Sequence, residues 1–387
     1  MQSSRPLKGI ATLLDHLSTL EDRRVTGRCR YSLQTVVVIG LLGVLCGAEG
    51  WVDLATFARS KQKWLREFLD LPPEPPKEGV FRRVFSSLRP AVFESCFRSL
   101  ARSLAQELHG QVVAFDGKAM RGAIQRPFDG SALHQVHAWV GAQRLLLARE
   151  MVEGAPDEGE AIRTMLGALE LTGAIVTMDA GNASRANADA VIEARADYVI
   201  TVKSNRRRLH TALREVFEAA SLGKRGAPAL RHQQTRETGH GRHEVRDVWV
   251  APASSLGEMA SYWPGLRSVV MVRRTRVHAQ SGQVQSWVHY YGSSLAPTVR
   301  AHTRAIREHW GVENGLHWVL DVQMGEDDCP IRDANGASNF AALRRFALTL
   351  LQRDKTVRQG TRGKQKEAGW NNDYLLHLLS LAKAENQ

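Results

Sequence analysis

The chain has 387 residues, enough for two or three domains, and its 43% hydrophobic content supports a substantial buried core, which excludes wholesale disorder. Fifty-two Lys and Arg against 40 Asp and Glu give a formal charge of +12 and an isoelectric point near 9.9, favouring a polyanionic partner such as nucleic acid or anionic membrane. The longest apolar run, Val36 to Ala48, holds thirteen residues. A membrane span needs roughly 20, so a buried helix is expected there and no membrane partner. Met1 to Leu14 lacks a charged start, an apolar stretch and a small-residue cleavage site, which makes a cytoplasmic location the default. Cys29, Cys46, Cys96 and Cys329 lie far apart, without the paired spacing of a zinc site or the density of a disulfide framework.

From Gly9 to Leu108 the pattern is helical, with apolar residues recurring every three or four positions in Leu33 to Gly47, Trp51 to Leu69 and Ala91 to Leu108. Within it LPPEPPKEG (Leu71 to Gly79) carries four prolines and must be a loop. At Gln111 the period changes. QVVAFDGK, HQVHAWVG and RLLLAREMV predict three strands, followed by a helix over Asp157 to Leu169, a strand at AIVTMDA, a helix over Ser184 to Arg195 and a strand at DYVITVK. That order gives a mixed α/β sheet and is compatible with a ribonuclease-H-like core. Arg231 to Leu295 is β-like again and predicts a small inserted or appended sheet. A long helix is expected from about Pro297 to Leu320 and another from about Ala337 to Gln352, then a basic linker, Lys355 to Lys366, and a short helix near Asp373 to Lys383.

Asp116 ends an apolar run just before Gly117 and Lys118, and Asp179 stands likewise at the end of AIVTMDA. Ligands in α/β sheets sit at the carboxyl ends of strands, so two aspartates there form a plausible Mg²⁺ site; the plainer alternative is that each caps a turn. Glu313 is the third candidate. One helical turn away lie His309, Trp310, Leu316 and His317, which predicts a carboxylate on an apolar face, where it must be paired, protonated or metal-bound; a salt bridge to Arg307 is the alternative. Three such acids are what a two-metal phosphoryl-transfer site requires, with ions roughly 3.5 to 4 Å apart. Its substrate would need a basic surround. Lys203 to Arg246 supplies eleven Lys or Arg against four acids, ending in the glycine-flanked GHGRHEVR. His240 and His243 in that segment have no third ligand at metal spacing.

Together these motifs resemble the DDE transposases of bacterial insertion sequences, specifically the ISAs-type or H-repeat-associated group. The resemblance spans nearly the whole chain through EDRR (Glu21 to Arg24), FDGKAMRGA (Phe115 to Ala123), IVTMDA, DYVITVKSN (Asp197 to Asn205), GHGRHEVR, REHWGVENGLHWVLDVQMGED (Arg307 to Asp327), NFAALRRFALTLL (Asn339 to Leu351) and AGWNNDYLL (Ala368 to Leu376). It implies an α/β, ribonuclease-H-like mixed-sheet catalytic core at 109–205 and 296–330, a basic β-rich insertion at 206–295, an all-helical DNA-binding region at 1–108 and a helical segment at 331–387. It further implies a catalytic and metal-binding triad of Asp116, Asp179 and Glu313, with two Mg²⁺ or Mn²⁺ ions, acting on double-stranded terminal inverted repeats and joining 3′-hydroxyls to target DNA.

Glu326, Asp327 and Asp328 compete with Glu313 as the third carboxylate. Where the wider superfamily has arginine and lysine around the glutamate, this chain has His309 and Leu320, so the basic role is expected to pass to His309, His317 or Arg307. The other expected DNA contacts are Lys118, Arg121, Lys203, Asn205, Arg206, Arg207, Arg208, His240, Arg242 and Arg246. Pairing two element ends requires at least a homodimer on DNA. The competing functions are a DNA-binding protein without catalysis and a metal-dependent nuclease.

Overall fold

The computed structural model describes residues 11–382 apart from 12, 23, 26, 28, 121–132, 153–157 and 240. Arg121 and His240 therefore lie outside the described residues. The predicted strands are β1 (Val112–Met120), β2 (Leu133–Val140), β3 (Leu145–Val152), β4 (Ile175–Met178) and β5 (Asp197–Val202). β1, β2 and β3 form an antiparallel meander, and β4 and β5 add in parallel beside β1, giving the spatial order β3-β2-β1-β4-β5. This is the ribonuclease-H-like arrangement. It follows in part from the connections: a short turn over residues 141–144 joins β2 to β3, whereas the parallel strands need the crossover helices Glu158–Ala168 and Arg185–Glu193.

The β-rich segment, expected as a small inserted or appended sheet, extends the main sheet. β6 (Arg231–Gly239), β7 (Arg242–Pro252), β8 (Ser268–His278) and β9 (Val284–Ser293) are antiparallel, and β9 pairs with the open edge of β5, making one nine-stranded sheet. A parallel core leaves that edge with unpaired amides and carbonyls, and β9 satisfies them.

The side-chain period of two divides this sheet between two cores. Val112, Ile175, Val199, Val248 and Val270 pack with Ala305 and Ile306 of the helix Val299–His309. Val113, Phe115, Val176 and Met178 join a larger core with Ile162, Met165 and Val191 from the crossover helices.

That larger core also takes in the helical parts of both chain ends. The helix Leu33–Leu45 is buried on nearly every side, as its unbroken apolar run requires, and Ser32 caps it through Thr35 N at 3.0 Å. The helix Ala334–Arg353 is equally enclosed, capped by Asp333, and Trp51 stacks on Phe85 while meeting Phe340 edge-on, both at 5.3 Å. The expected basic linker is corrected in part: residues Thr361–Trp370 are helical, and Lys364 turns inward to donate to the carbonyls of Leu351 and Asp354.

The expected long helix is also interrupted. Val299–His309 is α-helical, the chain turns at Trp310, and Glu313–His317 and Val319–Gln323 wind as π-helix. Such i→i+5 turns occur frequently at functional sites.

Candidate active site

Residues Val112, Asp116 and Lys118 share one face of β1, the face covered by Val299–His309 and the π-helical stretch after it. β1 does not stop at Asp116 but continues to Met120, so the aspartate projects from mid-strand, with His137 as its cross-strand neighbour on β2. Asp179 follows the last residue of β4, in parallel register beside β1. The sheet thus fixes two carboxylates, and the helix crossing above it brings the third.

Asp116 has only 15% of its side chain exposed, and its carboxyl is pushed up to about 7 by burial first, then by the negative charges of Glu313, Asp179 and Glu158. Four acids therefore bear on one point. Glu313 is exposed, which corrects the expectation of a carboxylate on an apolar face; it begins the π-helical stretch, where regular helical spacing no longer holds. Glu158 was not among the sequence candidates. It sits at the start of its helix, where an acid favours the helix dipole, and its carboxylate fills the space that a Cβ on Gly117 would occupy. The Asn182 side-chain amide donates to Glu158 Oε2 at 2.8 Å and to Asp179 Oδ1 at 3.1 Å, and its backbone N–H also donates to Asp179 Oδ1.

Two histidines complete the floor. His317 Nδ1 lies 3.5 Å from Asp116 Oδ2, and its Nε2 is hydrogen-bonded to His137 Nδ1 at 3.1 Å. Burial pushes His317 down to about 4, with Lys118 and Arg345 adding to the effect against Glu326; His137, fully buried, is lowered too. The only signal for His137 in HQVHAWV is its place two residues after Gln135, which puts two polar side chains on one face of a strand. His309 bonds Thr177 Oγ1 through Nδ1 at 2.9 Å and is pushed down to about 4 by burial, opposed by Asp179, so it enters the site as a neutral ring against β4.

Lys118 does not offer its charge to a phosphate here. Its side chain is 8% exposed and is committed to Asp321 and to Glu326 Oε2 at 2.8 Å. Glu326 also accepts from Arg345 Nη2 at 2.7 Å, so it belongs to an internal ion cluster, and neighbouring Asp327 is half-buried. Asp116, Glu313 and His317, by contrast, each offer a donor atom within 4.8 Å of the others. The donor set fits a divalent cation: hard carboxylate oxygens converge and repel, while the adjacent Lys118 is spent elsewhere.

Beside Glu313 a cleft of about 480 Å³ runs over the added strands, lined by Arg242, Arg246, Arg274, Arg307, Trp310 and Asn314. Arg246, Arg274 and Arg276 share the buried Glu244, and Arg307 pairs with Glu237. Asn205 and Arg206 serve the loop after β4, donating to the carbonyls of Ala180 and Ala183. Lys203, Arg207 and Arg208 are exposed around the start of the helix Arg207–Ser221, and His243 is exposed against Thr238.

The family described as Transposase DDE domain matches residues 108–350, and a family described as DDE_Tnp_1-associated matches residues 14–101. The H repeat-associated putative transposase YhhI of Escherichia coli (strain K12) is 31% identical over 95% of this chain and 97% of its own. The putative transposase YncI of Escherichia coli O157:H7 is 29% identical over 96% of this chain and 95% of its own. A solved piggyBac transposase synaptic complex with hairpin DNA shares 11% identity at a TM-score of 0.40, covering 96% of this chain and 79% of that one. No helix among the described residues is long and apolar enough to cross a membrane. With family matches over both the helical region and the sheet, this chain belongs to the DDE transposases, in the company of the H-repeat-associated group.

Proposed function

We propose that the chain cuts double-stranded DNA at the terminal inverted repeats of an insertion sequence and joins the freed 3′-hydroxyls to target DNA in the bacterial cytoplasm. Asp116, Asp179 and Glu313 hold two Mg²⁺ or Mn²⁺ ions in this reading. The observation that carries it is the convergence of Glu313, Asp179 and Glu158 on Asp116, whose carboxyl is pushed up to about 7 by burial first and then by these charges. Groups so perturbed by burial and like charge cluster at functional sites.

In cleavage, a water oxygen bonds to phosphorus as the bond to the element's 3′-oxygen breaks. In joining, that 3′-hydroxyl attacks a target phosphodiester and the target's own 3′-oxygen leaves. Bound cations supply charge neutralisation at the phosphate and a lower pKa at the attacking oxygen. The chain's part is placement: β1 fixes Asp116, Asn182 tethers Asp179, and the π-helical turn carries Glu313 to the rim of the arginine-lined cleft. That cleft, with Lys203, Arg207 and Arg208, is the proposed path of the DNA backbone, and residues 1–108 are a second DNA-binding region. Two ends are held by a homodimer or larger assembly, checked by the protein mass in a paired-end complex.

The test is cleavage of a labelled duplex carrying the element's own end. Products with Mg²⁺, none with chelator and none with Asp116→Asn are expected. Cleavage by the Asp116→Asn protein at the parent's rate removes Asp116 from the site; salt-sensitive binding without cleavage by the parent favours a DNA-binding protein without catalysis.

A further inference from the structure

We propose that His317 is a nitrogen ligand to one of the site's divalent cations, sharing it with Asp116 and Glu313 and tilting that position toward a transition-metal ion such as Mn²⁺ over Mg²⁺. This assignment rests on the triad reading and adds a donor that an all-carboxylate site does not contain.

The geometry is specific to a ligand. His317 is 6% exposed, yet its Nδ1 points at the site, 3.5 Å from Asp116 Oδ2, longer than a good hydrogen bond. One donor atom from each of Asp116, Glu313 and His317 lies within 4.8 Å of the others. An octahedral ion with bonds of about 2.1 Å holds its ligand atoms about 3 to 4 Å apart, so a small inward movement closes the set. Glu313, on the exposed side, has room to make that movement.

The support behind the ring has the form such a ligand needs. A lone pair on Nδ1 requires the proton on Nε2, and His137 Nδ1, 3.1 Å away, accepts it when His137 carries its own proton on Nε2. Metal-bound histidines characteristically donate their second ring N–H in this way, which fixes the tautomer and the ring plane. His137 is itself fixed, fully buried on β2 directly opposite Asp116. The strand pair therefore sets both the carboxylate and the backing for the imidazole. Imidazole suits Fe, Ni, Cu and Zn, and Mn²⁺, although it also takes oxygen ligands, accepts a nitrogen more readily than the harder Mg²⁺.

Pulsed electron paramagnetic resonance on the full chain with Mn²⁺ alone, without DNA, reads the ligand directly. The parent should show ¹⁴N coupling from a bound imidazole. His317→Gln should lose that coupling and bind Mn²⁺ about tenfold or more weakly. Mn²⁺ that depends on Asp116 for binding but shows no ¹⁴N coupling in the parent overturns the proposal while leaving the triad standing. Mn²⁺ bound by Asp116→Asn as tightly as by the parent overturns the triad itself. If His317→Gln does not fold, His134→Gln and His309→Gln decide: coupling retained in both supports His317, and coupling abolished in either overturns it.

Discussion

Lys118 and Glu326 meet at 2.8 Å with side chains only 8% and 2% exposed, joining β1 to the segment after the π-helix. The pair spans 208 residues of sequence. Arg345 binds the other oxygen of Glu326 from the helix Ala334–Arg353, so one carboxylate ties together the sheet and the helical body. Its neighbours hold this carboxyl down to about 2 even though burial alone would raise it.

Glu326 and Glu313 should consequently fail in different ways. Glu326→Gln leaves Lys118 and Arg345 buried without their shared counter-charge, a loss expected to cost about 3 to 5 kcal/mol of stability. Glu313→Gln changes an exposed side chain, so its unfolding midpoint should stay within about 0.5 kcal/mol of the parent while DNA cleavage disappears. Urea unfolding and the cleavage assay together check the pair. A stable, inactive Glu326→Gln beside an active Glu313→Gln would exchange their roles.

Acid should weaken the fold through the same carboxylate and through Asp354. Burial raises the Asp354 carboxyl, but hydrogen bonds from Thr356, Tyr374 and the Val357 N–H outweigh it and hold the group well below its ordinary value. Both acids have depressed folded pKa values. Their stabilisation is fully present above the unfolded carboxylate range of about 4 and is lost as pH falls through the folded values, near 2 for Glu326 and well below the ordinary carboxylate value for Asp354. The parent's melting temperature should fall steeply below about pH 4, and Asp354→Asn should flatten that limb while lowering the plateau. An unchanged acid limb in Asp354→Asn would dissociate this cluster from acid unfolding.

Much of this architecture was visible in the sequence because it is local. The runs around Phe115, Met178 and Val199 marked their strands by apolar periodicity, Asp116 and Asp179 stood out at the ends of such runs, and Glu313 by its helical spacing from His309, Trp310, Leu316 and His317. What escaped was non-local. Nothing in SWVHYYGSSL says that Tyr291 will pair with Thr201, since an open sheet edge accepts any compatible strand. Glu158 stands in an acid-rich stretch of sequence that reads as surface, and the Gly117 gap, the Asn182 amide and His134 bring it to the site. Glu313 is exposed at the start of a π-helical winding, which a regular helical wheel cannot express.

Arg207 and Arg208 test the DNA path without touching the acids. Both are exposed at the first turn of their helix, just beyond Asn205 and Arg206, which brace the Asp179 loop. Replacing both with glutamine should leave the fold intact and weaken binding to every duplex alike. Each phosphate that is no longer neutralised should reduce the slope of log affinity against log salt by about 0.9. A slope equal to the parent's would place the backbone path elsewhere.

Gly117 offers a geometric test of Glu158. A Cβ at this strand position would overlap the Glu158 carboxylate, so Gly117→Ala must push that side chain out and remove one of the three negative neighbours of Asp116. Asn182 would lose an acceptor at the same time, loosening its hold on Asp179. A decrease of about 10 to 100-fold in cleavage is expected, comparable to other changes in the groups that orient metal ligands. The double variant is the sharper measurement. If Gly117→Ala acts only by displacing Glu158, then adding it to Glu158→Ala should cost nothing further, because there is no longer a carboxylate to displace. Decreases that multiply in the double variant would mean that the missing Cβ serves β1 in another way, such as close approach of the DNA backbone to the strand.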